Sequence, residues 1–176
     1  MKHFWDFNEN KNFKMVRGYK VLKVYKDHVL ASKILKKIDS IIKKSFKLMK
    51  KIKMKNDLHN EMIKLLINTK FKLQEMQLIK DQGKFKFNGL NKPKNIYNSN
   101  GINIGKDKKL RAHNRLIFLT LRNNNGKLKS IKKILPLVSH ELTHTALNHV
   151  RWRDDDHGKP FDKFNKLILK NLRLSI

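Results

Sequence analysis

Between residues 27 and 53 apolar side chains recur at steps of three and four, and no other feature restricts the fold of this chain as tightly. Val29, Leu30, Ile34, Leu35, Ile38, Ile41, Ile42, Phe46 and Met49 make one stripe, and lysines fill most of the remaining positions. This spacing predicts a long amphipathic helix whose apolar side needs a partner surface. A second helix is expected from Asn56 or Asp57, as N-cap, to about residue 80. Its stripe (Leu58, Met62, Leu65, Leu66, Phe71, Leu73, Met76 and Leu78) is less regular, and Asp81-Gln82-Gly83 is expected to end it.

Other stretches read as strand or loop. Residues 19–25, Y-K-V-L-K-V-Y, are rich in Val and Tyr and read as a short strand. Residues 115–122, R-L-I-F-L-T-L-R, give the clearest strand pattern, and Asn123-Asn124-Asn125-Gly126 after them signals a turn. Residues 83–107 turn to Gly, Asn and Pro, as a loop with one or two short strands would. Residues 1–18 mix aromatic and polar types without periodicity. The expected organisation is one α+β domain over residues 1–176. It comprises an N-terminal extension (1–26), a Lys-rich helical region (27–82), and a region holding a small antiparallel sheet and two further helices (83–176).

The charge is lopsided: 42 Lys+Arg oppose 14 Asp+Glu, a net +28. Lys greatly outnumbers Arg, as an AT-rich coding sequence would write, but that bias does not explain the shortage of acids. Such a chain attracts polyanions, nucleic acid above all. Lysines hold phosphates without reading bases, so the expected binding is not sequence-specific. There is no Cys, which excludes disulfides, thiolate metal sites and cysteine nucleophiles. Any transition metal must then sit on His, Asp or Glu. No apolar run approaches the roughly 18 residues of a spanning helix, and M-K-H-F-W-D-F-N-E-N lacks the apolar stretch of a signal peptide. An intracellular, soluble protein that is not secreted is expected.

Residues 130–149 carry the chemistry: S-I-K-K-I-L-P-L-V-S-H-E-L-T-H-T-A-L-N-H. Proline fits a helix without penalty only in its first turn. Pro136 therefore predicts a helix that begins near residues 132–135 and runs to about His149. His140 and His144, four residues apart, then share one face and can grip one metal ion. Glu141 is turned about 100° from His140, where it can meet a water on the metal rather than the metal itself. Leu137, Val138, Leu142 and Ala146 make the helix largely apolar, which points to a core or cleft rather than a plain surface. A catalytic zinc needs a third protein ligand. Leu147 and Val150 replace the Gly and His of the extended H-E-x-x-H-x-x-G-x-x-H form, and no Glu follows Glu141. His149 falls on the opposite helical face. His157, beyond a turn and before Gly158, can fold back; Asp154, Asp155 and Asp156 are the alternatives, as ligands or as partners of a ligand. Gly158-Lys159-Pro160 restarts a helix with Phe161, Phe164, Leu167, Ile168 and Leu172 on its apolar side.

H-E-L-T-H followed by D-H-G-K-P-F-D-K-F resembles the SprT-like and WLM families of zincin metallopeptidases. In these families H-E-x-x-H is followed by a His, often with Gly close after it and an aromatic residue three or four positions on. The order of strand, hairpin turn and H-E-x-x-H helix also resembles the WLM-domain proteins of large DNA viruses. The match is specific over residues 137–164 and says little about 1–80. The resemblance implies a zincin-like fold, Zn2+ on His140, His144 and His157, and Glu141 as general base. It also implies that a strand such as 115–122 borders the cleft and can pair with a substrate backbone, with simple core packing as the alternative, and that the substrates are proteins crosslinked to DNA.

The leading expectation is a zinc-dependent endopeptidase associated with nucleic acid, with His149, Arg151 and Arg153 as candidates to stabilise the oxyanion. The alternative is a basic nucleic-acid-binding or packaging protein with a structural zinc site. A third reading lays the 27–53 helix on an anionic membrane surface; core packing of its stripe argues against it.

Overall fold

The computed structural model describes residues 12–53, 57–76, 89–93, 96–97, 103–105, 114–147 and 157–176. Elements follow in the order β1 (Phe13–Val16), β2 (Tyr19–Leu22), α1 (His28–Met49), α2 (Asp57–Asn68), β3 (Lys70–Glu75), β4 (Gly89–Pro93), β5 (Ile96–Tyr97), β6 (Asn103–Gly105), β7 (Asn114–Leu119), α3 (Ile131–Ala146) and α4 (Lys159–Leu174). The chain is thus mixed α and β.

α1 forms where the three-four pattern places it. Leu35, Ile38, Ile41, Ile42, Phe46 and Met49 are buried, each contributing about 1.5–3 kcal/mol through lost water contact. Val29 and Leu30 leave the expected stripe and stand exposed. Nine positions at 100° each put Val29 about 180° from Ile38 on the helix.

The second helix is shorter than its sequence suggests. It stops at Asn68, where the Thr69 hydroxyl donates to the Leu65 carbonyl, and residues 70–75 form a strand. Leu73, Gln74, Glu75 and Met76 are all buried. Residues 70–73 alternate polar and apolar, with Lys70 and Lys72 exposed, but the alternation spans too few residues to stand out, and Phe71, Leu73 and Met76 read on as a continuation of the helical stripe before them. Asp81, Gln82 and Gly83 lie outside the described residues.

The expected antiparallel sheet is instead mixed. Its five strands run in the order β1-β2-β3-β7-β4, and β5 pairs with β6 separately. β3 is parallel to both β2 and β7, while β1–β2 and β4–β7 are antiparallel. Parallel neighbours need a long crossover, and α1 with α2 supplies the one between β2 and β3. Residues 13–22, read from the sequence as part of an extension, therefore belong to the sheet.

Leu73, Ile117, Leu119 and Leu121 face α1, α3 and α4 in one core with Leu35, Ile38, Leu135, Val138, Leu142, Phe164, Ile168 and Leu172. The alternate positions Leu116 and Phe118 meet Met76 in a small second cluster.

The turn after β7 follows its composition. Gly126 has φ +79°, its N–H donates to the Asn123 carbonyl, and Arg122 bridges Leu128. Here Arg122, 5 % exposed, ties four segments together. Its Nε donates to Glu75 Oε1 at 2.8 Å, and Nη1 and Nη2 reach Asp27 at 3.0 and 2.7 Å. Nη1 also meets the Gly126 carbonyl, and the guanidinium lies 3.8 Å from the centre of the Tyr25 ring. Burial pushes the Glu75 carboxyl up, against the pull of the Leu22 N–H and Arg122.

Candidate metal centre

α3 begins at Ile131 after the N-cap Ser130, earlier than Pro136 implied, so the proline is the sixth helical residue. It removes the bond to the Lys132 carbonyl, but Lys132 and Pro136 are both exposed, and water can satisfy that group. The motif keeps its expected register. His140 and His144 sit on one face, half-buried, with Nε2 atoms 3.1 Å apart.

His157 comes from a different element. Gly158 caps α4, and Pro160 occupies its first turn, where the missing N–H has no partner to lose. Phe164, Ile168 and Leu172 dock α4 in the core shared with α3. One residue before His140, the Ser139 hydroxyl donates to the Asn165 carbonyl at 2.8 Å and lies against Asn165 Oδ1. This docking carries the His157 Nε2 to 3.3 Å from that of His140. The ligand atoms of all three histidines lie within 4.8 Å of one another, close enough to hold a metal ion. Phe161 forms the floor. It is 3 % exposed, and its ring centre lies 5.0, 5.0 and 4.7 Å from those of His140, His144 and His157. Burial, and then the neighbouring His157, lower the His140 pKa, which favours the neutral, ligating form.

Glu141 is 4 % exposed, and burial pushes its pKa up to about 8. It faces β4: the backbone of Gly89 passes between Glu141 and Leu137. The expectation that residues 115–122 pair with a substrate backbone is corrected here. β7 is paired along both sides, by β3 and by β4, so its backbone groups are already engaged. β4 is the outer strand on this side of the sheet.

The structure thus brings together His140, His144 and His157, with Glu141 on the same helix as the first two. His149, Arg151, Arg153, Asp154, Asp155 and Asp156 lie outside the described residues. Gly89 was not legible as a site residue, because it sits in a Gly/Asn-rich stretch and acts only through a tertiary contact. Comparisons of the chain with protein-family models, with curated proteins and with solved structures give no match in any of the three.

Proposed function

We propose that this chain is a zinc-dependent endopeptidase of zincin type. The observation that carries the reading is the spacing of the three imidazole nitrogens. Around a tetrahedral zinc with Zn–N bonds of about 2.0–2.1 Å, ligand nitrogens stand about 3.3–3.4 Å apart. The two pairs that include His140 measure 3.1 and 3.3 Å, and the ligand atoms of His144 and His157 lie within 4.8 Å of each other. A cysteine-free donor set of three imidazoles suits zinc and leaves a fourth position for substrate or water. The resemblance of residues 137–164 to SprT-like and WLM metallopeptidases supports the same assignment.

When bound, zinc supplies Lewis acidity and brings the pKa of a coordinated water to about 7. The protein's own part falls to Glu141. Its carboxylate accepts a proton from the attacking water and returns it to the leaving amine nitrogen. Phe161 holds the three rings in place and keeps water from behind them. The outer edge of β4 carries no strand among the described residues, and an extended peptide can add there by main-chain hydrogen bonds.

Association with nucleic acid is part of this reading, and α1 supports it. Lys33, Lys36, Lys37, Lys44 and Lys47 are exposed and fall within about 100° of helix arc over about 21 Å. Asp39, paired with Lys43 at 2.7 Å, lies outside that arc. No described helix is long and apolar enough to cross a membrane.

The test is metal analysis of the purified full chain beside a casein assay, with and without chelator and single-stranded DNA. About one equivalent of zinc and chelator-sensitive hydrolysis are expected, with loss of zinc in His157→Ala. Glu141→Gln should keep zinc and lose about 10²–10⁴-fold in rate. Cleavage by Glu141→Gln at the wild-type rate refutes the assignment, and tight zinc binding without hydrolysis favours a structural site in a basic nucleic-acid-binding protein.

A further inference from the structure

At the start of β4 the backbone runs so close to α3 that no side chain fits between them. A Cβ on Gly89 would stand 2.6 Å from Glu141 Oε1, 3.1 Å from Glu141 Cδ and 2.7 Å from Leu137 Cδ1. Leu137 and Glu141 are four residues apart on one face of α3, so their side chains straddle the glycine. The φ of Gly89 is not in the left-handed region, so glycine is required here for space and not for backbone conformation. Any larger residue must displace the strand, the leucine or the carboxyl. The strand is pinned by five register pairs to β7, from Gly89↔Leu119 to Pro93↔Arg115. Leu137 is half-buried and can turn outward, whereas Glu141 is enclosed. The rotamer of the carboxyl is therefore what a side chain at residue 89 would change, and one rotamer step moves its oxygens by several ångströms.

We propose that Gly89 is a positioning residue for Glu141: its bare Cα lets the edge strand close on α3 and fixes the conformation of the carboxyl on the helix that carries His140 and His144. The catalytic meaning of this contact rests on the endopeptidase reading; the contact itself does not.

The experiment is a double-mutant cycle on the full, chelator-treated chain, read by thermal unfolding. Gly89→Ala is expected to lower the midpoint by about 4 °C or more with Glu141 present, and by less than about half of that in the Glu141→Ala background. Adding Leu137→Ala alone should leave most of the shift in place. Additive shifts for residues 89 and 141, or full relief by Leu137→Ala, overturn the inference. In zinc-loaded protein, Gly89→Ala should keep the zinc stoichiometry and KM within about 2-fold while kcat falls about 10²-fold, as displacements near 1 Å do. An unchanged kcat overturns it as well. A wild-type chain that binds zinc and hydrolyses nothing removes the endopeptidase reading, and the unfolding cycle still decides the contact.

Discussion

Removing the charge of Glu141 should make the metal-free protein more stable, by an amount that grows from about pH 5 and levels off above about pH 8. The folded chain holds the Glu141 proton more tightly than the unfolded chain, because burial lifts its pKa from the ordinary 4.5 to about 8. Below 4.5 the carboxyl is neutral in both states and carries no penalty. Between 4.5 and about 8 the unfolded chain releases the proton first, so stability falls as pH rises through that window. At about 1.4 kcal/mol per pH unit the full penalty is about 5 kcal/mol. Glu141→Gln has nearly the same shape and never ionises. In chelator-treated protein it should match wild type within about 1 kcal/mol at pH 5. At pH 9 it should gain several kcal/mol, or roughly 10 °C in midpoint for a chain of this size. Urea unfolding at the two pH values measures both. A gain of equal size at pH 5 and pH 9, or none at pH 9, refutes the reasoning.

Two further outcomes follow from charge elsewhere. Arg122→Met strips the guanidinium from the fully buried Glu75 and should lower stability by about 3–5 kcal/mol in urea, with part recovered by adding Glu75→Leu. A loss under about 1 kcal/mol would show that the four-segment tie is incidental. Changing Lys33, Lys37, Lys44 and Lys47 to Gln should cut the slope of log affinity against log salt for duplex DNA by roughly 3–4. An unchanged slope in a fluorescence-anisotropy salt titration would place the phosphate contacts off α1.

The parts of this fold that were legible in the sequence are those whose signal is local. α1 and α4 follow from three-four spacing, and Pro160 and Gly158 mark where α4 starts. His140 and His144 are bound to meet once their segment is helical, because four residues make one turn. The convergence of His157 was readable only as a possibility, since it depends on how α4 docks on α3. β3 was hidden for the opposite reason. Its residues 70–75 gain their structure from β2 and β7, partners distant in sequence, and their short alternation is masked because Phe71, Leu73 and Met76 also extend the helical stripe before them. Pro136 misled because a solvent-facing carbonyl can do without its helical partner. Gly89, and the Arg122 tie between Asp27 and Glu75, arise from contacts that no window of sequence contains.

That two imidazoles come from α3 and one from the approach to α4 makes a shared ion a staple between the two helices. Its grip would then vary with supply: free ion at about 100 times its dissociation constant adds about 2.7 kcal/mol to folding, and depletion withdraws it. A cell short of the ion would lose the docked C-terminal helix more readily than the sheet beneath it. Under the endopeptidase reading, activity and lifetime of the chain would rise and fall together.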